Sequence, residues 1–116
     1  MRVIVPVLER NDENSRISQH FGRAPYLAVV EVLEGKINSL KFVNGEGSHE
    51  ENRNEDEKMK ASSIHKTILD LNPDAIVAMR IGPRAVEDFV KAGIKILNIE
   101  GNTLSDVVSR ILSNNS

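Results

Sequence analysis

The chain has 116 residues, enough for one domain with its own core and short for two. Its formal net charge of -2 argues against the basic face of a general nucleic-acid binder, and its only aromatics, Phe21, Phe42, Phe89 and Tyr26, are too few to stack unpaired bases. It has no cysteine, which excludes disulfides, zinc ribbons and thiolate-held iron–sulfur clusters and leaves histidine, carboxylates and backbone as metal ligands.

Met1 to Val7 has a single charge followed by five uncharged residues, too short for a signal-peptide core. No stretch approaches the roughly 18 apolar residues of a membrane span, so the expected setting is the cytoplasm, with no membrane partner. Val3-Ile4-Val5-Pro6-Val7 reads as a central strand buried on both faces. Residues 9–19 are polar and unpatterned and read as a loop. Tyr26 to Val32 and Lys36 to Val43 form the second and third strands, and Glu34-Gly35 between them marks an antiparallel hairpin. Residues 44–58 turn abruptly acidic and read as a mobile loop. A helix is expected from Met59 to Leu71, with Ile64, Ile68 and Leu71 on one stripe, stopped by Asn72-Pro73. Ala75 to Met79 is a fourth strand. Pro83 opens a helix that runs to Ala92 and closes at Gly93. Ile94 to Ile99 is the fifth strand. Thr103, with Asp106 three residues on, caps a last helix bearing Leu104, Val107, Val108, Ile111 and Leu112.

The order β-β-β-α-β-α-β-α describes a single domain over residues 1–116. Right-handed crossovers put the strands in the order 3-2-1-4-5 with strand 2 antiparallel. The result is an α/β fold of three layers, a five-stranded mixed sheet with helices on both faces, resembling the ribonuclease H-like layout. This topology sends the loop bearing His20 and Arg23, the acidic loop, and the turns at Arg80–Arg84 and Glu100–Thr103 to one rim, at the carboxyl end of strand 1. Ligands of open α/β sheets bind outside strand carboxyl ends, and helix amino termini favour anions.

Each residue of the rim also has a purely structural role open to it. His20 can hydrogen-bond within its loop, Phe21 can anchor the core, Gly22 can relax a backbone angle, and Arg23 can be a solvated charge. Gly82-Pro83-Arg84 is an ordinary helix start. His49 lies among carboxylates, ordinarily just a solvated excursion of the loop and only secondarily a weak divalent-metal seat, and His65 sits within a helix.

Taken together, Ser18-Gln19-His20-Phe21-Gly22-Arg23-Ala24-Pro25-Tyr26 resemble the HFGRAPY signature of the dinitrogenase iron–molybdenum cofactor biosynthesis family, the NifX/NafY-like domain also found at the end of NifB. Ile81-Gly82-Pro83-Arg84-Ala85 and Lys91-Ala92-Gly93-Ile94-Lys95 resemble the same family, and the likeness runs over essentially the whole chain. The resemblance implies transient holding and delivery of an iron–sulfur or molybdenum-containing cluster, with donor and acceptor proteins as partners and no catalysis. It implies a metal-ligating role for His20. The binding set expected around the anionic cluster is His20, Phe21, Gly22, Arg23, Gly82 and Arg84.

A nuclease needs carboxylates converging on the sheet to hold two metals, and strands 1 and 4 carry none. A module that binds a phosphate-bearing metabolite or a protein partner without metal is the main alternative. Self-association through the edge of strand 3 or 5 is a third.

Overall fold

The computed structural model describes residues 1–19, 21, 24–45 and 67–114. Five strands, β1 (Arg2–Val7), β2 (Tyr26–Leu33), β3 (Lys36–Asn44), β4 (Ala75–Val77) and β5 (Lys95–Leu97), form one sheet in the order β3-β2-β1-β4-β5. β2 is antiparallel to both its neighbours, while β1, β4 and β5 run parallel. This is the ribonuclease H-like arrangement expected from the sequence. The helices are α1, helical over residues 67–71, α2 (Pro83–Lys91) and α3 (Leu104–Asn114). No helix among the described residues is long and apolar enough to cross a membrane. The expected acidic loop beyond Gly45, with His49, and the expected helix start with Ile64 and His65 lie outside the described residues; Asn44 belongs to β3, paired with Tyr26.

Alternation along the strands divides the core into two layers. Val3, Val5 and Val7 of β1, with Ala28 and Val30 of β2, face α3, whose Leu104, Val107, Val108 and Ile111 form one apolar stripe. Ile4, Leu27 and Ile76 face the other way, onto Ile68 of α1 and Ala85 and Phe89 of α2. Pro6 is tolerated in a central strand because β4 pairs only with Val3 and Ile4, so nothing in β4 calls on its missing N–H. Its carbonyl accepts from Ser18 N–H at 2.9 Å. The hairpin turn has positive φ at both Glu34 (56°) and Gly35 (76°), the twist that matches two antiparallel strands.

β4 and β5 stop short of the apolar runs that foretold them. Met79 and Ile99, beyond the strand ends, still pack against the α3 layer, and Ala78 N–H still reaches Leu97 carbonyl at 3.0 Å. An apolar run reports burial, and here burial continues past the end of regular pairing.

α2 ends in a Schellman arrangement: Ile94 N–H donates to Phe89 carbonyl at 2.9 Å and Gly93 N–H to Val90 carbonyl at 3.0 Å. Gly93 has φ of 82°, and a Cβ there would meet nothing within 4 Å. Gly93→Ala is therefore expected to cost about 1–2 kcal/mol through the left-handed backbone alone. Gly82→Ala, at φ of -71° and with equally open space, is expected to be neutral; chemical denaturation of the pair measures the difference.

Candidate functional site

Residues 9–19 form the expected loop, and it has a built internal structure. Ser15 is fully buried, and its Oγ accepts from the N–H groups of Asn11 (3.0 Å) and Asp12 (3.2 Å). Ile17 is buried in the α3 layer and bridges Val7. At the base of the loop, Arg16 donates its N–H to Glu9 Oε1 at 3.0 Å and its Nε to Glu9 Oε2 at 2.8 Å. These bonds, the side-chain one foremost, hold the Glu9 carboxyl below the usual carboxylate range and the Arg16 guanidinium above its own. None of this has a periodic signature, because the partners are backbone groups remote in sequence.

The same loop closes α3. Leu104 N–H donates to Ser15 carbonyl at 2.8 Å and Ser105 N–H to Glu13 carbonyl at 2.7 Å. Thr103 and Asp106 cap as expected: Asp106 N–H reaches Thr103 Oγ1 at 3.3 Å, and Asp106 Oδ2 accepts from Asn102 N–H at 3.1 Å. The amino terminus of α3 is thus occupied by protein carbonyls and a carboxylate. It does not offer the free anion-favouring end that topology alone implied.

α2 differs. Its N-cap is Gly82, with no side-chain cap and no acidic residue in the first turn. Pro83 has no N–H to satisfy, and the N–H groups of Arg84 and Ala85 make no hydrogen bond to described residues outside the helix. A Cβ on Gly82 would meet nothing within 4 Å. Neither packing nor an unusual backbone angle requires glycine here, so the surface above Gly82 is open to close approach. Arg80 and Arg84 are exposed, and the ion pairs among the described residues, Arg2–Glu31 and Arg16–Glu9, use neither.

Phe21 joins the two motifs. Its ring is buried against Phe89 of α2, centroids 5.8 Å apart and planes at 79°, an edge-to-face contact. Its N–H donates to Arg80 carbonyl at 3.2 Å. A few residues on, Gly45 N–H donates to Pro25 carbonyl at 2.8 Å, and a Cβ on Gly45 would sit 2.2 Å from Ala24 carbonyl oxygen. Phe21 is thus held by α2 and the turn before it, and Ala24-Pro25 by the end of β3. Of the expected binding set, Phe21, Gly82 and Arg84 are brought to one rim, Phe21 as a buried anchor. His20, Gly22 and Arg23 lie outside the described residues, as do the other two histidines. Among the described residues no cluster of three or more His, Asp or Glu is able to hold a metal.

A polar cleft of about 590 Å³ opens on the α3 side of Arg80, lined by Gln19, Met79, Asn98, Glu100, Asn102 and Arg110 among others. Arg110, Asn98 and Asn102 were not legible as site residues, since an arginine on the polar face of a helix and two loop asparagines carry no distinguishing pattern.

Fold and rim define a small α/β protein whose described polar groups and open helix end gather at the carboxyl ends of its strands. A family model described as dinitrogenase iron–molybdenum cofactor matches residues 1–114, and the chain belongs to that family, related to cofactor biosynthesis. An uncharacterized protein of Methanocaldococcus jannaschii, MJ0580, is 24% identical over 112 residues, 97% of this chain and 86% of that one. The crystal structure of PH0822 superposes with a TM-score of 0.76 at 25% identity, covering 98% of this chain and 90% of that one. The apo form of the orange protein from Desulfovibrio gigas has the same fold, with a TM-score of 0.76 at 19% identity and coverage of 97% and 88%.

Because the Glu9 carboxyl is held low, its contribution to the loop is complete at neutral pH and down to the ordinary glutamate range. It is then lost as acid takes the pH through the lowered value. Carboxyl titration by NMR is expected to show Glu9 below an ordinary glutamate. Glu9→Gln should remove that acid-side component from the exchange protection of the Arg16 amide.

Proposed function

We propose that this protein binds and hands on an iron–sulfur or molybdenum-containing cluster during metallocofactor assembly, carrying it without catalysing a reaction on it. The reading is supported by the bond from Phe21 N–H to Arg80 carbonyl, which sets Phe21, the described residue of the motif, beside the turn that opens α2. His20 is the metal ligand. Arg23 and Arg84 neutralise the anionic cluster, and the α2 amino terminus adds the partial positive charge of its free N–H groups. Gly22 and Gly82 let the cargo approach the backbone closely, and Phe21 holds the segment in place from beneath.

The donor set fits such cargo in a particular way. A chain without cysteine cannot hold iron through thiolates, and one imidazole with guanidinium and amide contacts makes a weak seat. A weak seat suits a carrier, which takes its load from one protein and yields it to another. Donor and acceptor proteins in the assembly sequence are the partners this implies.

Anaerobic mixing with a cluster donor is expected to give visible-region absorbance, with iron, molybdenum and sulfide bound in countable amounts. His20→Ala should lose most of that metal while keeping its circular dichroism spectrum. Gly82→Ala should lower metal retention without loss of stability. Undiminished metal content in His20→Ala would refute the assignment of the ligand.

A further inference from the structure

We propose that the cleft on the α3 side of Arg80 binds a small polar organic molecule bearing an oxyanion head, phosphate or carboxylate, with Arg80 and Arg110 as its anchors. This site is distinct from the open start of α2. Neither Gly82 nor Arg84 lines the cleft, which Arg80 shares with Met79 of the α3 layer, whereas α2 packs through Ala85 and Phe89 into the opposite layer.

Polar groups elsewhere on this side of the molecule are consumed by the fold: Ser15, Glu9, Arg16, Thr103 and Asp106 all bond within the loop and its contact with α3. The side chains around the cleft are not. Among the described residues Arg80 and Arg110 form no ion pair, although Glu100 lines the same cleft. The amides of Gln19, Asn98 and Asn102 make no side-chain hydrogen bond among the described residues. Two guanidinium groups and one carboxylate leave a net positive charge facing the opening. Guanidinium forks match the paired oxygens of phosphate or carboxylate; the amides can donate to or accept from hydroxyl groups on the body of the ligand, and the Glu100 carboxylate can accept from them. The cleft is open and polar, and its volume of about 590 Å³ exceeds what a bare inorganic ion needs.

Isothermal titration with glycerol 3-phosphate and, separately, with malate tests the site and distinguishes the two heads. One of them is expected to bind saturably to the purified chain without added metal. Arg80→Gln and Arg110→Gln should each weaken it about tenfold or more, the scale of a lost charge-assisted bond. Arg110→Lys, which keeps the charge and loses the fork, should also weaken it, and this holds the test even where Arg110→Gln misfolds. Arg84→Gln should leave affinity unchanged. Failure of both compounds to bind would overturn the proposal, and so would an equal loss from Arg84→Gln, which would mark diffuse attraction to the rim. Either failure leaves the His20 reading standing, because that one is read by metal content.

Discussion

Phe21 faces two ways, and the upper end of the molecule depends on both. Its ring closes the layer between the sheet and α2 through the edge contact with Phe89, and its N–H is held by the carbonyl of Arg80. Burial of a phenylalanine ring is worth about 1.5–3 kcal/mol and has little directional character. The hydrogen bond supplies direction. Together they fix where the segment after Ser18 meets the turn before Pro83, two stretches about sixty residues apart in the chain. Neither contact touches a ligand, yet together they set Phe21 beside the turn that opens α2.

The two helix starts at this rim show how one local motif can serve opposite ends. α3 begins under a carboxylate cap, and its first amides are taken up by the carbonyls of Glu13 and Ser15. α2 begins at a glycine, a proline and an arginine, with nothing from the described protein closing it. An anionic guest is therefore favoured at α2 and disfavoured at the start of α3, where Asp106 already balances the helix dipole. The cleft on the α3 side obtains its positive charge instead from Arg80 and from Arg110, further along the helix.

Much of the fold could be read directly. The run Val3 to Val7 marked a doubly buried strand, Glu34-Gly35 a tight turn, Pro83 and Gly93 the two ends of a helix, and Thr103 with Asp106 a cap. Each of these is a local rule with a local cause, and each appears in the structure. The turns that open α2 and α3 were foreseen at the carboxyl ends of β4 and β5, since topology alone sends them there. The details around them were not. The burial of Ser15, the clamp between Glu9 and Arg16, and the closing of α3 by its neighbouring loop all depend on backbone groups that have no identity in a sequence.

What the amino-acid order determined by itself was the succession of strands and helices and the handed sheet order built from them, because periodicity, caps and crossover sense are properties of short stretches. It also ruled out thiolate chemistry, since a missing residue type needs no structure to be seen. Only the tertiary arrangement decided which helix start stays open, which loop is spent as packing, and that Arg80 and Arg110 share a cleft. Those outcomes rest on contacts between distant parts of the chain, where a hydrogen bond made or left unmade is set by position in space.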